Sequence, residues 1–312
     1  MSKKYIYKRS NENFFLVPEK SSFSFLTNPI RAYRCKVEEI LKKEQIYANL
    51  PNDFYTLMNS GGINDYIVPT SLYTDKLISF QDTVFSNILE EIENYWKLGD
   101  KFRLFGYQPK RGYLLYGPPG NGKTSIINLI VQKALNHNIL TIQVRGINIE
   151  SIIWNLRKIR EIEKDRHILF ILEDIDTFIK QNGEGKVLSL LDGQDSIDNI
   201  TFLATTNYPE DLDGRLTNRP SRFDRVIYVG YPTMEQRYQF LCQKYTGLSE
   251  KELQKWAEKT DKMSFAHLKE LIVSVLVLGG DFNIELERIK KMSSVKTSNK
   301  EKDNTVGFGF MD

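Results

Sequence analysis

One eight-residue segment constrains the fold of this 312-residue chain more than any other feature. It reads GPPGNGKT and matches the pattern G-x-x-x-x-G-K-[ST], in which a glycine-rich loop joins a strand to a helix. The glycines allow backbone N–H groups to turn inward around phosphates, and the following helix directs the positive end of its dipole to the same place. The predicted phosphate-binding residues are Gly117, Pro118, Pro119, Gly120, Asn121, Gly122, Lys123, Thr124 and Ser125.

Two side chains of this segment have predicted chemical roles. Lys123 is placed to reach the β- and γ-phosphates of a nucleotide, and Thr124 is placed to ligate Mg²⁺. The preceding run GYLLY has the composition of the required strand, and residues 123–136 have the pattern of the required helix. The segment therefore predicts that the chain binds ATP together with Mg²⁺.

The sequence around this loop alternates between apolar runs and helical patterns from Gly112 to Pro232. The apolar runs are continuous, which is typical of strands buried on both faces of a sheet. Strands that alternate with helices indicate a parallel sheet with helices on both faces. We therefore predict an α/β fold, the parallel sheet of a P-loop NTPase, followed by a small α-helical lid domain in the residues after Pro232.

A second motif, ILFILEDID, occupies residues 168–176, about fifty residues after the P-loop. Adjacent carboxylates at the carboxyl end of a buried strand can serve two purposes, since one can hold the Mg²⁺ shell and the other can orient the attacking water. By position, Glu173 holds the metal together with Thr124, and Asp174 polarises the water. The two roles could also be shared between these carboxylates.

Two further motifs supply polar groups that could act on a phosphate. Asn207 closes the apolar strand ITFLATT, where it could hold water between the carboxylates and the γ-phosphate. The segment RPSRFDR places Arg219 and Arg222 in a loop. Arginines in loops usually form a solvated surface, but these two could instead stabilise transition-state charge on a phosphoryl group.

Taken in order, GPPGNGKT, LEDID, LLDG, ATTN, NRPSRFDR and VGYP resemble the motifs of the AAA family of ATPases over roughly residues 75–280. The run RGYLLYGPPG and the order Glu173-Asp174 look most like the branch that contains the mitochondrial respiratory complex III assembly chaperone. The resemblance implies an ATP-hydrolysing enzyme that forms a homo-oligomeric ring, a hexamer or heptamer, with ATP at subunit interfaces. It also implies that Arg219 and Arg222 are arginine fingers for the neighbour's ATP, that Asn207 is the sensor 1 residue, and that Ala266 packs near the nucleotide.

Three departures from the family pattern restrict what the resemblance implies. The usual order of the second motif is Asp-Glu, whereas this chain has Glu173-Asp174. Residues 144–148, at the place of the family's pore loop, read VRGIN without an aromatic residue, which argues against peptide threading. The complex III chaperone has an N-terminal membrane anchor without a counterpart in this sequence, so its biological role does not transfer.

The chain divides into four predicted regions. Residues 1–75 form an N-terminal α+β region, with a hairpin around Ser10–Asn13 and an amphipathic helix near Tyr33 to Leu41, for which we predict a role in partner recognition. Residues 76–232 form the AAA α/β nucleotide-binding core, and residues 233–292 form the α-helical lid. Residues 293–312 are polar, and we expect a disordered tail there.

Composition decides little about the partner. The chain has 43 basic and 40 acidic residues, and this balance argues neither for nor against nucleic acid, which a small basic patch can bind. The sequence has no secretory signal, no apolar stretch of membrane-spanning length, and only two cysteines, which lie far apart. We therefore expect a cytoplasmic protein without a membrane span.

These patterns predict an ATPase that acts as a chaperone-like remodeller of a protein partner, and three alternatives stay open. A DNA- or clamp-directed AAA ATPase would share the same core. A nucleotide-dependent scaffold with little hydrolysis is compatible with the inverted order Glu173-Asp174. A small-molecule P-loop kinase would share only GPPGNGKT, and it would need neither Asn207 nor RPSRFDR.

Overall fold

The computed structural model describes residues 5–10, 13–18, 45–47, 49–59, 65–72, 84–192, 197–212, 222–244 and 247–298. These residues belong to two compact units. The first unit comprises residues 1–117 and 123–228, and the second comprises residues 118–122 and 229–312. Within the described ranges, no helix combines the length and the apolar character that crossing a bilayer requires.

The first unit is built on one ten-stranded sheet in the order β10-β6-β9-β8-β7-β4-β5-β2-β1-β3. Its strands are β1 (Tyr5–Ser10), β2 (Asn13–Pro18), β3 (Gln45–Tyr47), β4 (Phe54–Asn59), β5 (Asp65–Pro69), β6 (Lys110–Tyr116), β7 (Leu140–Arg145), β8 (Ile168–Leu172), β9 (Ile200–Thr206) and β10 (Arg225–Tyr228). Its helices are α1 (Val84–Trp96), α2 (Gly99–Leu104), α3 (Lys123–Asn136), α4 (Ile149–Ile162), α5 (Ile175–Asn182) and α6 (Glu184–Asp192).

The strands from β10 to β4 in this order are all parallel to their neighbours. Every residue of β8 and β9 is buried, as expected for strands covered by helices on both faces. Phe170 and Phe202 meet edge to face in the middle of this core, with ring centroids 5.9 Å apart. The predicted α/β P-loop fold is confirmed, and its parallel strands bring their carboxyl ends to one edge of the sheet.

The N-terminal strands continue this sheet. Strand β4 pairs in parallel with β7, from Phe54 opposite Thr141 to Met58 opposite Arg145, and β5 then pairs antiparallel with β4. The hairpin predicted around Ser10–Asn13 is present as β1 and β2, whereas the helix predicted near Tyr33 lies outside the described residues. These strands belong to the same compact unit as the parallel sheet, while the division of the chain at residue 75 and partner recognition by residues 1–75 stay predictions.

Two charged side chains fasten the segment before β4 to the core. The carboxylate of Glu163, at the end of α4, accepts a hydrogen bond from the backbone N–H of Leu50 at 2.7 Å. Arg166 donates to the carbonyl oxygens of Leu50 at 2.7 Å and Asn138 at 2.9 Å. Because hydrogen bonds to charged groups are stronger than neutral ones, these contacts fix the point at which the chain enters β4.

Within its described residues, the second unit contains four helices: α7 (Met234–Lys244), α8 (Glu250–Lys259), α9 (Phe265–Ile272) and α10 (Phe282–Ser298), with a π-helical turn (Val273–Val277) after α9. The predicted capping box of Ser249 and Glu252 begins α8. Ser264 begins α9 in the same way, and its partner is the less usual His267. Helix α10 continues to Ser298, so it includes the first residues of the predicted tail, and the rest of that tail lies outside the described residues.

Candidate functional site

The P-loop has the backbone conformation that its glycines were predicted to allow. Gly117, Gly120 and Gly122 have φ angles of 144°, 79° and 92°, which side chains with a Cβ rarely adopt. Residues 118–122 belong to the second unit, where the carbonyl of Gly120 accepts a hydrogen bond from the N–H of Ala266 at 3.1 Å. A Cβ on Gly120 would lie 2.8 Å from that of Ala266, so glycine is required there for steric reasons as well.

Lys123 is the first residue of α3 and is buried, although its side chain carries the charge expected to meet phosphate. Its ammonium group donates to the carbonyl oxygen of Gly117 at 2.6 Å, across the loop. Burial lowers the pKa of Lys123, and the negative charge of Asp174 partly opposes that shift. Lys123 and Asp174 are therefore close enough to interact electrostatically, although they are 51 positions apart in the chain.

The two residues predicted to share a metal ion lie in direct contact. The hydroxyl of Thr124 donates to the Glu173 carboxylate at 3.0 Å, and both side chains are exposed at the carboxyl edge of the sheet. Hydroxyl and carboxylate oxygens are the hard donors that Mg²⁺ prefers, usually together with substrate phosphates and water. Ser125, the next residue of α3, is exposed as well.

Asp174 and Asn207 also meet at this edge. The side-chain amide of Asn207, which follows β9, donates to the Asp174 carboxylate at 3.3 Å. Asp174 lies two residues after the end of β8 and has a left-handed backbone, with φ 50° and ψ 54°. Asp174 thus has a polar neighbour on the adjacent strand, in the relation predicted for a water-orienting carboxylate and its sensor.

Three further polar residues of these two motifs support this pair, and no separate role was predicted for them. The hydroxyl of Thr205 accepts from the N–H of Asp174 at 3.1 Å. The hydroxyl of Thr206 donates to the Asp176 carboxylate at 2.7 Å, and both of these side chains are buried. The signal that could have found them is the register of neighbouring parallel strands, which sets the ends of β8 and β9 side by side.

Of the two predicted arginine fingers, one pairs with an acid of its own chain and the other lies outside the described residues. Arg222 is buried and forms two hydrogen bonds with Asp192 at the end of α6, from Nε to Oδ1 at 2.8 Å and from Nη2 to Oδ2 at 2.9 Å. Arg219 lies outside the described residues. The structure thus pairs Arg222 with an acid of its own chain.

The segment that contains Arg222 is packed tightly on β6. A Cβ on Gly112 would lie 1.8 Å from the carbonyl oxygen of Arg222, so these two backbones are in direct contact. The N–H of Gly112 donates to the Asp224 carboxylate at 2.8 Å, and Arg111 lies 3.8 Å from the same carboxylate. Glycine at 112 is therefore needed for the path of the chain past Arg222.

The loop at the place of the family's pore loop is small and polar. Arg145 ends β7 and is exposed, Gly146 follows with φ 59°, and Ile147 is buried. The Asn148 side chain caps α4 by accepting from the N–H of Ser151 at 2.8 Å. This loop presents a cation where threading ATPases present an aromatic side chain.

The side chains of this site fit Mg²⁺ and a nucleoside triphosphate. Hard oxygen donors are present on Thr124 and Glu173, and a cation is available on Lys123. The N-terminus of α3 follows a loop whose left-handed glycines can turn N–H groups toward phosphate. When bound, Mg²⁺ supplies positive charge that neutralises the phosphate oxygens.

Comparison with known families and proteins agrees with this geometry. Residues 113–231 match the family described as ATPase family associated with various cellular activities (AAA). The proteasome-activating nucleotidase of Thermococcus onnurineus is 33% identical over 227 residues, which are 65% of this chain and 55% of the relative. The ATPase family gene 2 protein of Schizosaccharomyces pombe is 29% identical over 229 residues, 68% of this chain and 28% of the relative.

A third relative, the cell division cycle protein 48 homolog of Archaeoglobus fulgidus, is 32% identical over 204 residues, 59% of this chain and 27% of that protein. The chain thus spans between about a quarter and about half of the length of these curated relatives.

Proposed function

We propose, from the premise that residues 113–231 form an AAA ATPase domain, that the chain binds ATP with Mg²⁺ and hydrolyses it to ADP and phosphate. One observation carries this proposal, namely the meeting of four polar side chains from three elements at one sheet edge. Thr124 contacts Glu173 at 3.0 Å, and Asn207 contacts Asp174 at 3.3 Å. A small-molecule kinase would not need the second of these pairs.

The proposal gives each residue one task. Lys123 neutralises the β- and γ-phosphates, while Thr124 and Glu173 hold Mg²⁺. Asp174 accepts a proton from the attacking water while the oxygen of that water bonds to the γ-phosphorus. Asn207 keeps the water and the Asp174 carboxylate aligned. The bond between the γ-phosphorus and the bridging oxygen breaks, and ADP leaves with the electron pair.

The division of labour between the two carboxylates can be tested by phosphate release. We expect Asp174→Asn to bind ATP and to hydrolyse it at least about tenfold more slowly, since a positioned general base contributes about 10²-fold or more. Glu173→Gln should instead raise the Mg²⁺ concentration needed for activity. Asp100→Asn is the matched control, because Asp100 is fully exposed on α2.

Two results would count against this assignment. If Glu173→Gln traps bound ATP while Asp174→Asn still turns it over, the two roles are inverted. If the wild-type protein binds ATP but releases no phosphate above the level of Lys123→Ala, the chain is a nucleotide-dependent scaffold and not an ATPase.

We also propose that the chain works as a homo-oligomeric ring, a hexamer or heptamer, that remodels a protein partner. The support is the resemblance of the arginine segment to the family's finger motif, together with the similarity to a relative that is named for activating the proteasome. Within the family, the run RGYLLYGPPG and the order Glu173-Asp174 favour the branch of the complex III assembly chaperone. Native mass spectrometry of Asp174→Asn with ATP should show one ring size, and a monomer under these conditions would contradict the proposal.

A further inference from the structure

Asp174 occupies a helix N-cap, where an aspartate side chain ordinarily caps the helix. It is the N-cap residue of α5, yet its side chain makes no capping hydrogen bond. Aspartate at an N-cap normally has an extended backbone, and its carboxylate accepts from the N–H two or three positions later. The left-handed backbone of Asp174 turns the carboxylate away from that use, and non-glycine residues adopt this conformation uncommonly.

Three other helices of this protein show the ordinary arrangement. Asn148, Ser249 and Ser264 cap α4, α8 and α9 with extended backbones, at ψ angles of 162°, 154° and 164°, and each side chain accepts the expected backbone N–H. The N-cap of α5 differs from these in backbone conformation and in side-chain use together. Asp174 therefore has two competing uses, as a helix cap and as a group facing Asn207.

The peptide groups on both sides of Asp174 are fixed by hydrogen bonds. Its N–H donates to the hydroxyl of Thr205 at 3.1 Å, and its carbonyl accepts from the N–H groups of Thr177 at 2.9 Å and Phe178 at 3.2 Å. Any helix start can supply the carbonyl contacts, whereas the first bond requires a hydroxyl at residue 205 on the neighbouring strand. Thr205 is buried, so its hydroxyl has little competition from water.

We propose that Thr205 is a positioning residue that holds Asp174 in the left-handed conformation and so prevents its carboxylate from capping α5. The Thr205 hydroxyl accepts a hydrogen bond from the backbone N–H of Asp174 in the left-handed conformation. That conformation keeps the Asp174 carboxylate beside Asn207 and not at the cap of α5. The kinetic consequence rests on the proposed ATPase function. The structural consequence, the choice between two N-cap states, exists without nucleotide.

The test replaces the hydroxyl with a methyl group of the same shape, in Thr205→Val. With the Asp174 N–H bond lost, we expect the carboxylate to cap α5, and kcat to fall about tenfold or more while the Kd for ATP changes less than about threefold. In the nucleotide-free protein, hydrogen exchange of the Asp176 amide should slow, because a capping carboxylate would accept from it. Thr205→Ser keeps the hydroxyl and should restore both readouts.

Thr201→Val is the matched control, because Thr201 is also a buried threonine of β9 but lies at the opposite end of that strand. Its hydroxyl accepts a hydrogen bond from the Trp96 side chain at 3.2 Å. Thr201→Val should lower the Tm and leave kcat and Asp176 exchange unchanged. The proposal is overturned if Thr205→Val behaves like this control, or if Asp176 exchange does not slow. If the wild-type protein hydrolyses no ATP, the proposed function fails, while the exchange measurement still decides the role of Thr205.

Discussion

Replacement of Arg222 separates a structural role from a catalytic one. Its side chain is 5% exposed and forms the two hydrogen bonds with Asp192, which is 21% exposed. Removing one partner of a buried ion pair costs about 3–5 kcal/mol, because the other charge stays buried alone. Since Asp192 keeps part of its water contact, we expect Arg222→Ala to cost the lower end of that range, about 3 kcal/mol.

Asp192→Ala leaves Arg222 in place and should cost at least as much, because the charge that loses this ion pair is then the more deeply buried one. The two variants differ in their effect on hydrolysis if Arg222 acts as a finger toward a neighbour. An arginine finger is worth on the order of 10³-fold in rate, so Arg222→Ala should retain ATP binding and lose most hydrolysis. Asp192→Ala should keep hydrolysis well above that level, because this variant retains the arginine.

The measurements are thermal unfolding, fluorescent ATP binding and phosphate release for both single variants and the double variant. Mixing Arg222→Ala with Lys123→Ala subunits adds a direct test, since one kind of interface then pairs an intact P-loop with an intact arginine. Equal loss of hydrolysis in Asp192→Ala and Arg222→Ala, with no rescue in mixed rings that demonstrably form, would refute a finger role and leave the pair as a structural brace.

Three other predictions follow from the described residues. Burial lowers the pKa of His167 from 6.5 to about 4, so the unfolded chain binds a proton below pH 6.5 that the folded protein does not accept until about pH 4. The stabilisation by neutral His167 is complete above pH 6.5, and the free energy of unfolding falls by roughly 3 kcal/mol as the pH is lowered to 4. His167→Gln should remove that part of the pH dependence of the Tm. An imidazole of His167 that titrates near pH 6.5 by NMR would contradict this prediction. Gly112→Ala should lower the Tm more than any exposed substitution, because its Cβ would lie 1.8 Å from the Arg222 carbonyl; an unchanged Tm would contradict that contact. Lys123→Ala should abolish binding of fluorescent ATP in a protein with a native circular dichroism spectrum, and wild-type affinity would contradict its role.

The sequence predicted those parts of the fold that leave a local signature. The P-loop, the apolar strands before and after it, the hairpin at Ser10–Asn13 and the cap at Ser249 all depend on neighbouring residues, and all are present. The contact of Thr124 with Glu173 agrees with expectation as well, because carboxyl ends of parallel strands and the P-loop helix meet at one edge.

Other features depend on partners that are distant in sequence. The pairing of β4 with β7 joins residues more than eighty positions apart, and no local pattern specifies it. The burial of Arg222 was not predicted, because an arginine in a polar loop usually faces water, and its partner Asp192 is thirty positions away in the chain. Helix α5 was not predicted either, since its cap is a left-handed Asp174 without the usual capping side chain.

The parallel ladder between β4 and β7 has a mechanical consequence. It joins the N-terminal strands to the ATPase sheet through five residue pairs, from Phe54 and Thr141 to Met58 and Arg145. A pull along β4 loads these bonds in shear, so that they resist together and not one after another. Deleting residues 1–75 would therefore not simply remove a separate module. It would remove the strand that pairs with β7 and expose the edge of β7, which would then be prone to association. A load on β4 reaches the loop at residues 145–148 through the hydrogen-bonded backbone of β7.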